Sequence, residues 1–315
     1  MEDPVPEQMR TAAGALLAAL DEPARRRARH AFDDDAARRW LEYRPRPRPG
    51  VPLTDLDPAA RKAAHRLLAT ALSPPAYAQA MAVVALEEVL DRAEGWRRGR
   101  HSGDYWVALF GDPTRDDRWG WRVEGHHLSV GMTVVDDQVS PAPLFLGANP
   151  ATVRHAGRPV LRPLGPEEDL ARELLDALGP AGRAAAIVAG AAPEDIISAT
   201  RATAPGLIEP LGVPRGRLTP TGRALLDRLV ALYLDRLPAE LAAREAARLG
   251  GGELHFAWAG ATGSGSRHYY RVQGDDLLIE YDNTADDGNH AHTVLRHPTS
   301  DFGADLLATH HTHHH

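Results

Sequence analysis

The fold is decided by four short stretches near the C-terminus in which apolar and polar residues alternate: ELHFAWAG (253–260), RHYYRVQG (267–274), DLLIEYDNT (276–284) and HAHTVLRH (290–297). This period of two is typical of strands with one buried face. Gly, Asp and Asn separate the stretches, and Gly274-Asp275 has the composition of a tight hairpin turn. The pattern predicts four antiparallel strands within residues 253–297.

The centre of the chain shows the same alternation in DYWVALFG (104–111) and WGWRVEGHHLSVGMTVVDD (119–137). We expect two antiparallel strands within residues 104–135, in the same sheet as the C-terminal strands. GANPATVRHAGRPVLRPLG (147–165) has the Gly and Pro content of a loop.

The remaining segments have helical spacing or cap residues, which predicts helices within residues 54–95 and 166–248, PEDIISAT (193–200) included, and a terminal helix over 301–310. The pattern predicts that residues 1–50 form a helical extension, which ends at a proline-rich connector, RPRPRPGVP. The predicted fold class is therefore α+β. One antiparallel sheet packs against N-terminal and middle helical layers, and residues 51–315 form a single domain.

Composition excludes several functional classes. Lys and Arg total 36 against 43 Asp and Glu, and the resulting net charge of −7 argues against nucleic acid as a partner. No apolar run approaches the ~20 residues that cross a bilayer, so we expect no membrane partner. The acidic start lacks the order of a signal peptide, and the chain has no cysteine, so we expect a cytoplasmic protein without thiolate chemistry.

Histidines are concentrated towards the C-terminus, where ten of the 16 lie between His255 and His315. The tail, ATHHTHHH (308–315), is low-complexity sequence or resembles a purification tag, so His311 and His313 to His315 are discounted. His290 and His292 lie two apart on a predicted strand, so they project from the same face and can bind one ion. Glu280 and Asp282 on the preceding strand would add the carboxylates of a mixed metal site.

The adjacent histidines His126 and His127 are read by the same alternation. His127 shares a small polar face with Ser129, whereas His126 shares a face with Leu128 and Glu124, so His127 is the more natural pocket residue. We expect His127 to approach His290 and His292 even though nearly half the chain separates them.

Eight ordered motifs resemble those of a known family: WGWRVEGHHLSVGMTVV, LFLGANPATVRHAG, APEDII, HFAWAG, HYYRVQG, LLIEYDNT, NHAHTV and DFGADLL. They are similar to the bacterial and fungal family catalogued as domain of unknown function 3500, over roughly residues 78–310. The name conveys no reaction. The resemblance implies that one site holds the residues His126, His127, Glu280, Asp282, Asn283, Asn289, His290, His292, Arg296, Asp301 and His310. Ala285, Leu295 and His297 depart from the family's pattern, and the last change puts the usual partner of Arg296 in doubt. Asp301 could replace that partner; without an acidic neighbour, Arg296 could instead bind a substrate carboxylate.

Three functions follow as hypotheses. The first is a metal-dependent enzyme acting on a small molecule, with His126, His127, His290 and His292 as candidate ligands of Zn or Fe, or of Mn. Glu280, Asp282 and Arg296 are its candidate catalytic residues, and the chemistry is hydrolytic or oxidative. Asn283, Asn289, Asp301, His310 and His268 are candidates to orient the ligands. The second is a metal-free enzyme in which a histidine paired with Asp282 abstracts a proton, and the third is a binding protein without turnover.

Overall fold

The computed structural model describes residues 3–97, 99, 101–204 and 209–314. His315, the last residue of the histidine-rich tail, lies outside them. The described residues form ten α-helices, α1 to α10 in chain order: Val5–Ala19, Glu22–Ala28, Asp35–Arg38, Pro58–Thr70, Pro74–Ala93, Gly165–Ala177, Gly179–Ala186, Pro220–Leu234, Ala239–Leu249 and Ala304–His314. None of these helices is both long and apolar enough to cross a membrane.

The same residues form fifteen strands, β1 to β15 in chain order: Arg29–His30, Val51–Pro52, Tyr105–Phe110, Arg118–Gly125, Leu128–Val135, Gln138–Ser140, Leu144–Ala148, Val153–His155, Arg158–Leu161, Ile187–Ala189, Val213–Pro214, His255–Gly260, His268–Gly274, Leu277–Ala285 and His290–Arg296. Short 3₁₀ helices cover Leu53–Asp55, Arg215–Arg217, Asp286–Gly288 and Asp301–Gly303.

One 13-stranded sheet joins the central and C-terminal strands. Ten of its strands follow the order β1-β3-β4-β5-β7-β15-β14-β13-β12-β10, and β2, β6 and β11 pair with β3, β5 and β12, respectively, while β8 and β9 form a separate hairpin. The α+β class is thus confirmed. The expectation of a purely antiparallel sheet is wrong, because β1 pairs with β3 and β10 pairs with β12 in parallel. Both parallel strands are edge strands of two or three residues, too short to show an alternating pattern.

The main core lies between the helices and one face of the sheet, where Leu16 of α1, Leu67 of α4 and Leu229 of α8 share a cluster with Trp121 and Tyr281. The N-terminal helix therefore packs into the same core as the rest of the chain. The division into residues 1–50 and 51–315 stays a prediction.

The opposite face of the sheet is covered mainly by segments without regular structure. Leu41, Tyr43 and Ile196 from two such segments pack on Phe145 of β7 and Val294 of β15. PEDIISAT, expected to be helical, lies in one of these segments and contains only turns and bends. Its backbone N–H groups bind side-chain carboxylates instead of helical carbonyls, as described below.

The stretch 119–137, expected to contain one strand, forms the β4–β5 hairpin. Gly125 pairs with Leu128, so His126 and His127 are the two turn residues, and His127 has a φ of 61°. A two-residue hairpin turn with this backbone twist most often contains Asn-Gly or Gly, which explains why His-His gave no turn signal. The predicted loop 147–165 likewise contains the β8–β9 hairpin.

Candidate metal centre

The turn residue His127 meets two histidines of β15. His127 Nε2 lies 2.8 Å from His290 Nε2, which in turn lies 3.0 Å from His292 Nε2. His127 is buried, and the side chains of His290 and His292 are 18% and 11% exposed. The three nitrogens therefore converge where the central strands β5 and β15 begin, and the three residues form a group that could hold a metal ion.

Strand β7 lies between β5, which follows His127, and β15, which contains His290 and His292. Gly147 of β7 allows His127 to reach the other two histidines. Gly147 pairs with His292 and donates its N–H to the carbonyl of His127 at 2.7 Å. A Cβ at position 147 would lie only 2.7 Å from His127 Cδ2. The missing side chain leaves the space that the imidazole of His127 occupies.

Carboxylates hold the outer nitrogens of the two strand histidines. His292 Nδ1 lies 2.8 Å from Asp195 Oδ1 and 3.3 Å from Asp282 Oδ2. His290 Nδ1 lies 3.0 Å from Asp286 Oδ2 and 3.2 Å from Asn149 Nδ2. Such contacts at Nδ1 fix a histidine's tautomer and orientation in metal sites.

The pKa values of the two strand histidines are shifted in opposite directions. Burial lowers the pKa of His290 to about 4, and the neighbouring His292 acts in the same sense. Burial also opposes protonation of His292, but the hydrogen bonds to Asp195 and Asp282 outweigh it and raise the pKa of His292 to about 9. Without an ion, these values leave His292 protonated and His290 neutral at neutral pH.

His126 lies behind the cluster. Its ring stacks on that of His127 with centroids 3.7 Å apart, and its Nδ1 contacts the buried Glu87 of α5. Glu87, His126 and His127 form a second group that could hold an ion. Because ring stacking and coordination by both imidazoles require different orientations, the geometry favours His126 as a support for His127.

Asp282 and Glu280, the two carboxylates predicted to be catalytic, have different surroundings. Asp282 reaches His292, and its other oxygen accepts the backbone N–H of Thr284. Glu280 instead accepts backbone N–H groups of residues 197 and 198 and the Tyr269 hydroxyl. Burial raises the pKa of Glu280, whereas these hydrogen bonds lower it.

The predicted residues at the far end of β15 do not reach the histidines. Arg296 donates to Asp301 at 2.8 Å, and Asp301 also accepts the N–H of His297. Asp301 therefore partners Arg296 and a backbone group, not a ligand histidine. His310 contacts Asp136, which follows β5 at the end of that strand opposite His127.

The other predicted supporting residues are divided between two regions. His268 lies on the helical face of the sheet, stacked between Trp258 and Tyr281, and Asn283 accepts its N–H. Asn289 lies beside the cluster, where its side chain and backbone oxygens accept the N–H groups of Thr152 and Ala151.

Sequence reasoning missed Asp195, Asp286, Asn149, Tyr43 and Gly147. Asp195 lies in PEDIISAT, for which the sequence predicts a helix, although the APEDII motif is one of the eight that resemble the family. The Tyr43 hydroxyl donates to Asp195 Oδ2 at 2.7 Å, and the Tyr43 ring lies 5.0 Å from that of His292. Tyr43 immediately precedes the proline-rich connector, and no sequence pattern there indicates a functional role.

Comparison with known proteins gives one match. A family described as "Protein of unknown function (DUF3500)" matches residues 2–304. No curated protein and no solved structure matches the chain.

Proposed function

Because the chain belongs to the DUF3500 family, whose description names no reaction, we propose its function from the histidine cluster. We propose that the protein is a metal-dependent enzyme acting on a small molecule, with His127, His290 and His292 as the ligands of one divalent ion. The observation that carries this proposal is the convergence of three Nε2 atoms, with the opposite nitrogens of two rings facing carboxylates.

The carboxylates support metal binding through the tautomer. When Asp195 and Asp286 accept hydrogen bonds from Nδ1, neutral His292 and His290 present their Nε2 lone pairs to the point of convergence. Two nitrogens bound tetrahedrally to one zinc ion lie about 3.4 Å apart. The observed separations of 2.8 and 3.0 Å are a few tenths of an ångström smaller, so an ion fits after small movements of the side chains.

The donor set favours zinc and hydrolysis. Three neutral imidazoles with an open fourth position are a catalytic zinc arrangement, whereas non-haem iron usually binds two histidines and a carboxylate. Here the nearest carboxylates contact Nδ1 atoms instead of the point of convergence. A zinc ion would supply a Lewis acid and lower the pKa of a bound water to about 7. Asp286, whose side chain is 61% exposed, is the accessible carboxylate that would accept a proton there.

One observation favours a second candidate, the metal-free acid–base enzyme. The raised pKa of His292 keeps its imidazolium beside the neutral imidazole of His290. Such a pair supplies an acid and a base without an ion. Proton transfer would then depend on His292 and its carboxylate partners, and chelators would have no effect.

Elemental analysis of protein that ends at His310, purified without an affinity tag, tests the proposal. We expect about one zinc per chain in the wild type and less than half of that in His290→Ala. His155→Ala is the matched control, because His155 is exposed on the β8–β9 hairpin, and it should keep the wild-type metal content.

Activity on a panel of small esters and amides should disappear with a chelator and return with zinc. If the protein instead retains iron and consumes oxygen when substrate is added, its chemistry is oxidative and the proposal of hydrolysis is wrong. Chelator-resistant turnover by metal-free protein would favour the acid–base enzyme. Stoichiometric zinc without any turnover would favour a binding protein.

A further inference from the structure

Residues 193–198, called here the strap, cross the face of the sheet beside His292. Asp195 Oδ1 in the strap lies 2.8 Å from His292 Nδ1, and its Oδ2 accepts the Tyr43 hydroxyl. The next residue, Ile196, is buried against Tyr43 and Phe145. The strap has no helix or strand of its own, so side chains of the sheet must hold it in place.

Glu280 supplies the principal polar anchor. It is fully buried in β14, and its carboxylate accepts the N–H of Ile197 at 2.6 Å and that of Ser198 at 3.2 Å. The Tyr269 hydroxyl donates to the same carboxylate at 2.9 Å. A second anchor is the Thr284 hydroxyl, which donates to the carbonyl of Glu194 at 2.8 Å. The two anchors lie on either side of Asp195.

We propose that Glu280 is a positioning residue that acts on the metal centre through the strap: by holding residues 197 and 198, it fixes Asp195 against His292. This inference rests on the proposed function. It reassigns a carboxylate that the sequence suggested as catalytic. Glu280 belongs to none of the metal-capable groups found among the described residues, and donors on the strap and on Tyr269 already occupy its oxygens.

A carboxylate suits this task. Two consecutive backbone N–H groups outside a helix or strand need acceptors when they are buried, and an ionised acceptor makes roughly twice as strong a hydrogen bond as a neutral one. Glutamine keeps the shape but loses the charge and one of the two acceptor oxygens. Glu280→Gln should therefore loosen the strap without opening a cavity.

A double-mutant cycle tests the pathway from Glu280 to His292. Zinc dissociation constants are measured by chelator competition for the wild type, Glu280→Gln, Asp195→Ala and the double variant. Loss of an orienting partner typically weakens metal binding by about 10–100-fold, so we expect each single variant to lose about tenfold or more. The double variant should bind no more weakly than Asp195→Ala alone.

If the fold-losses in zinc affinity of the two single variants multiply in the double variant, the proposal is overturned, because Glu280 would then act independently of Asp195. Glu167→Gln is the matched control, since Glu167 is equally buried but lies in α6 and pairs with Arg236 at 2.6 Å. The Glu167→Gln variant should bind zinc with the wild-type affinity even if its free energy of unfolding falls.

A second readout separates failure of this inference from failure of the proposed function. In metal-free protein, the NMR signal of the His292 Nδ1 proton should be lost or shifted in Glu280→Gln and in Asp195→Ala. An unchanged signal in Glu280→Gln would refute positioning even if zinc binds. If the wild type binds no zinc, the proposed function fails and the proton signal still decides the role of Glu280. Glu280→Asp, which keeps the charge but shortens the reach, replaces Glu280→Gln if that variant does not fold.

Discussion

His127 and His290 are separated by 163 positions in the chain, yet their Nε2 atoms lie 2.8 Å apart. The contact crosses β7, because β5 and β15 both pair with that strand. The cluster is therefore a product of strand order in the sheet. Changes in β7 should affect it even where β7 contributes no ligand.

Gly147→Ala should weaken zinc binding by at least tenfold, because the new Cβ would lie 2.7 Å from His127 Cδ2 and displace the ring. Overpacking should also lower the free energy of unfolding by about 1–3 kcal/mol. Gly131→Ala is the control, since a Cβ at that strand position meets its nearest atom at 3.5 Å. Metal titration and urea unfolding of both variants check this. Equal zinc affinity in the two would contradict the role of Gly147.

His126→Ala should keep one zinc per chain but bind it several-fold more weakly, because the ring that stacks on His127 is lost. His127→Ala should lose most of the metal. Elemental analysis after extensive dialysis, followed by chelator competition, distinguishes a support from a ligand. Loss of zinc to the same extent in both variants would make His126 a ligand.

Asp301→Asn should lower the free energy of unfolding by about 3 kcal/mol, because it breaks a buried ion pair with Arg296. The two side chains are 4% and 0% exposed, respectively. Zinc content should not change. Asp305→Asn removes a partly exposed contact with Arg248 and should cost less than about 1 kcal/mol. A loss of zinc in Asp301→Asn at unchanged stability would show that Asp301 serves the metal centre after all.

Acidification should destabilise the protein partly through His268, whose pKa burial lowers to about 4. The unfolded histidine titrates near pH 6.5, so below that pH the unfolded state binds the proton first and stability falls until about pH 4. The contribution reaches about 3 kcal/mol. Urea unfolding at pH 7 and pH 4.5 should show a smaller loss for His268→Phe, which keeps the stacked ring. Equal losses in variant and wild type would exclude this contribution.

Part of the site could be predicted from the sequence because it depends on local geometry. His290 and His292 project together from β15, as residues two apart on a strand must. The sequence argument for His127 is less secure, because alternation along a strand does not apply to a hairpin turn. Its ring reaches the other histidines from a backbone with a φ of 61°, which the sequence did not indicate.

The carboxylate partners of the histidines could be predicted only in part. Asp282 faces His292 because the two residues pair directly across β14 and β15. Asp195 reaches His292 through the tertiary course of an irregular segment, which has no periodicity to read. The long-range contacts of the strap with Tyr43 and Glu280 are likewise invisible to local pattern analysis.

The position of β7 between β5 and β15 also has a consequence for protein synthesis. His127 leaves the ribosome long before His290 and His292, and helices α6 to α9 are made in between. A nascent chain that ends before β15 contains only one of the three nitrogens. The histidine cluster can therefore form only after β15 has been translated and the sheet has closed, so under the proposed function the ion would bind after synthesis of these strands.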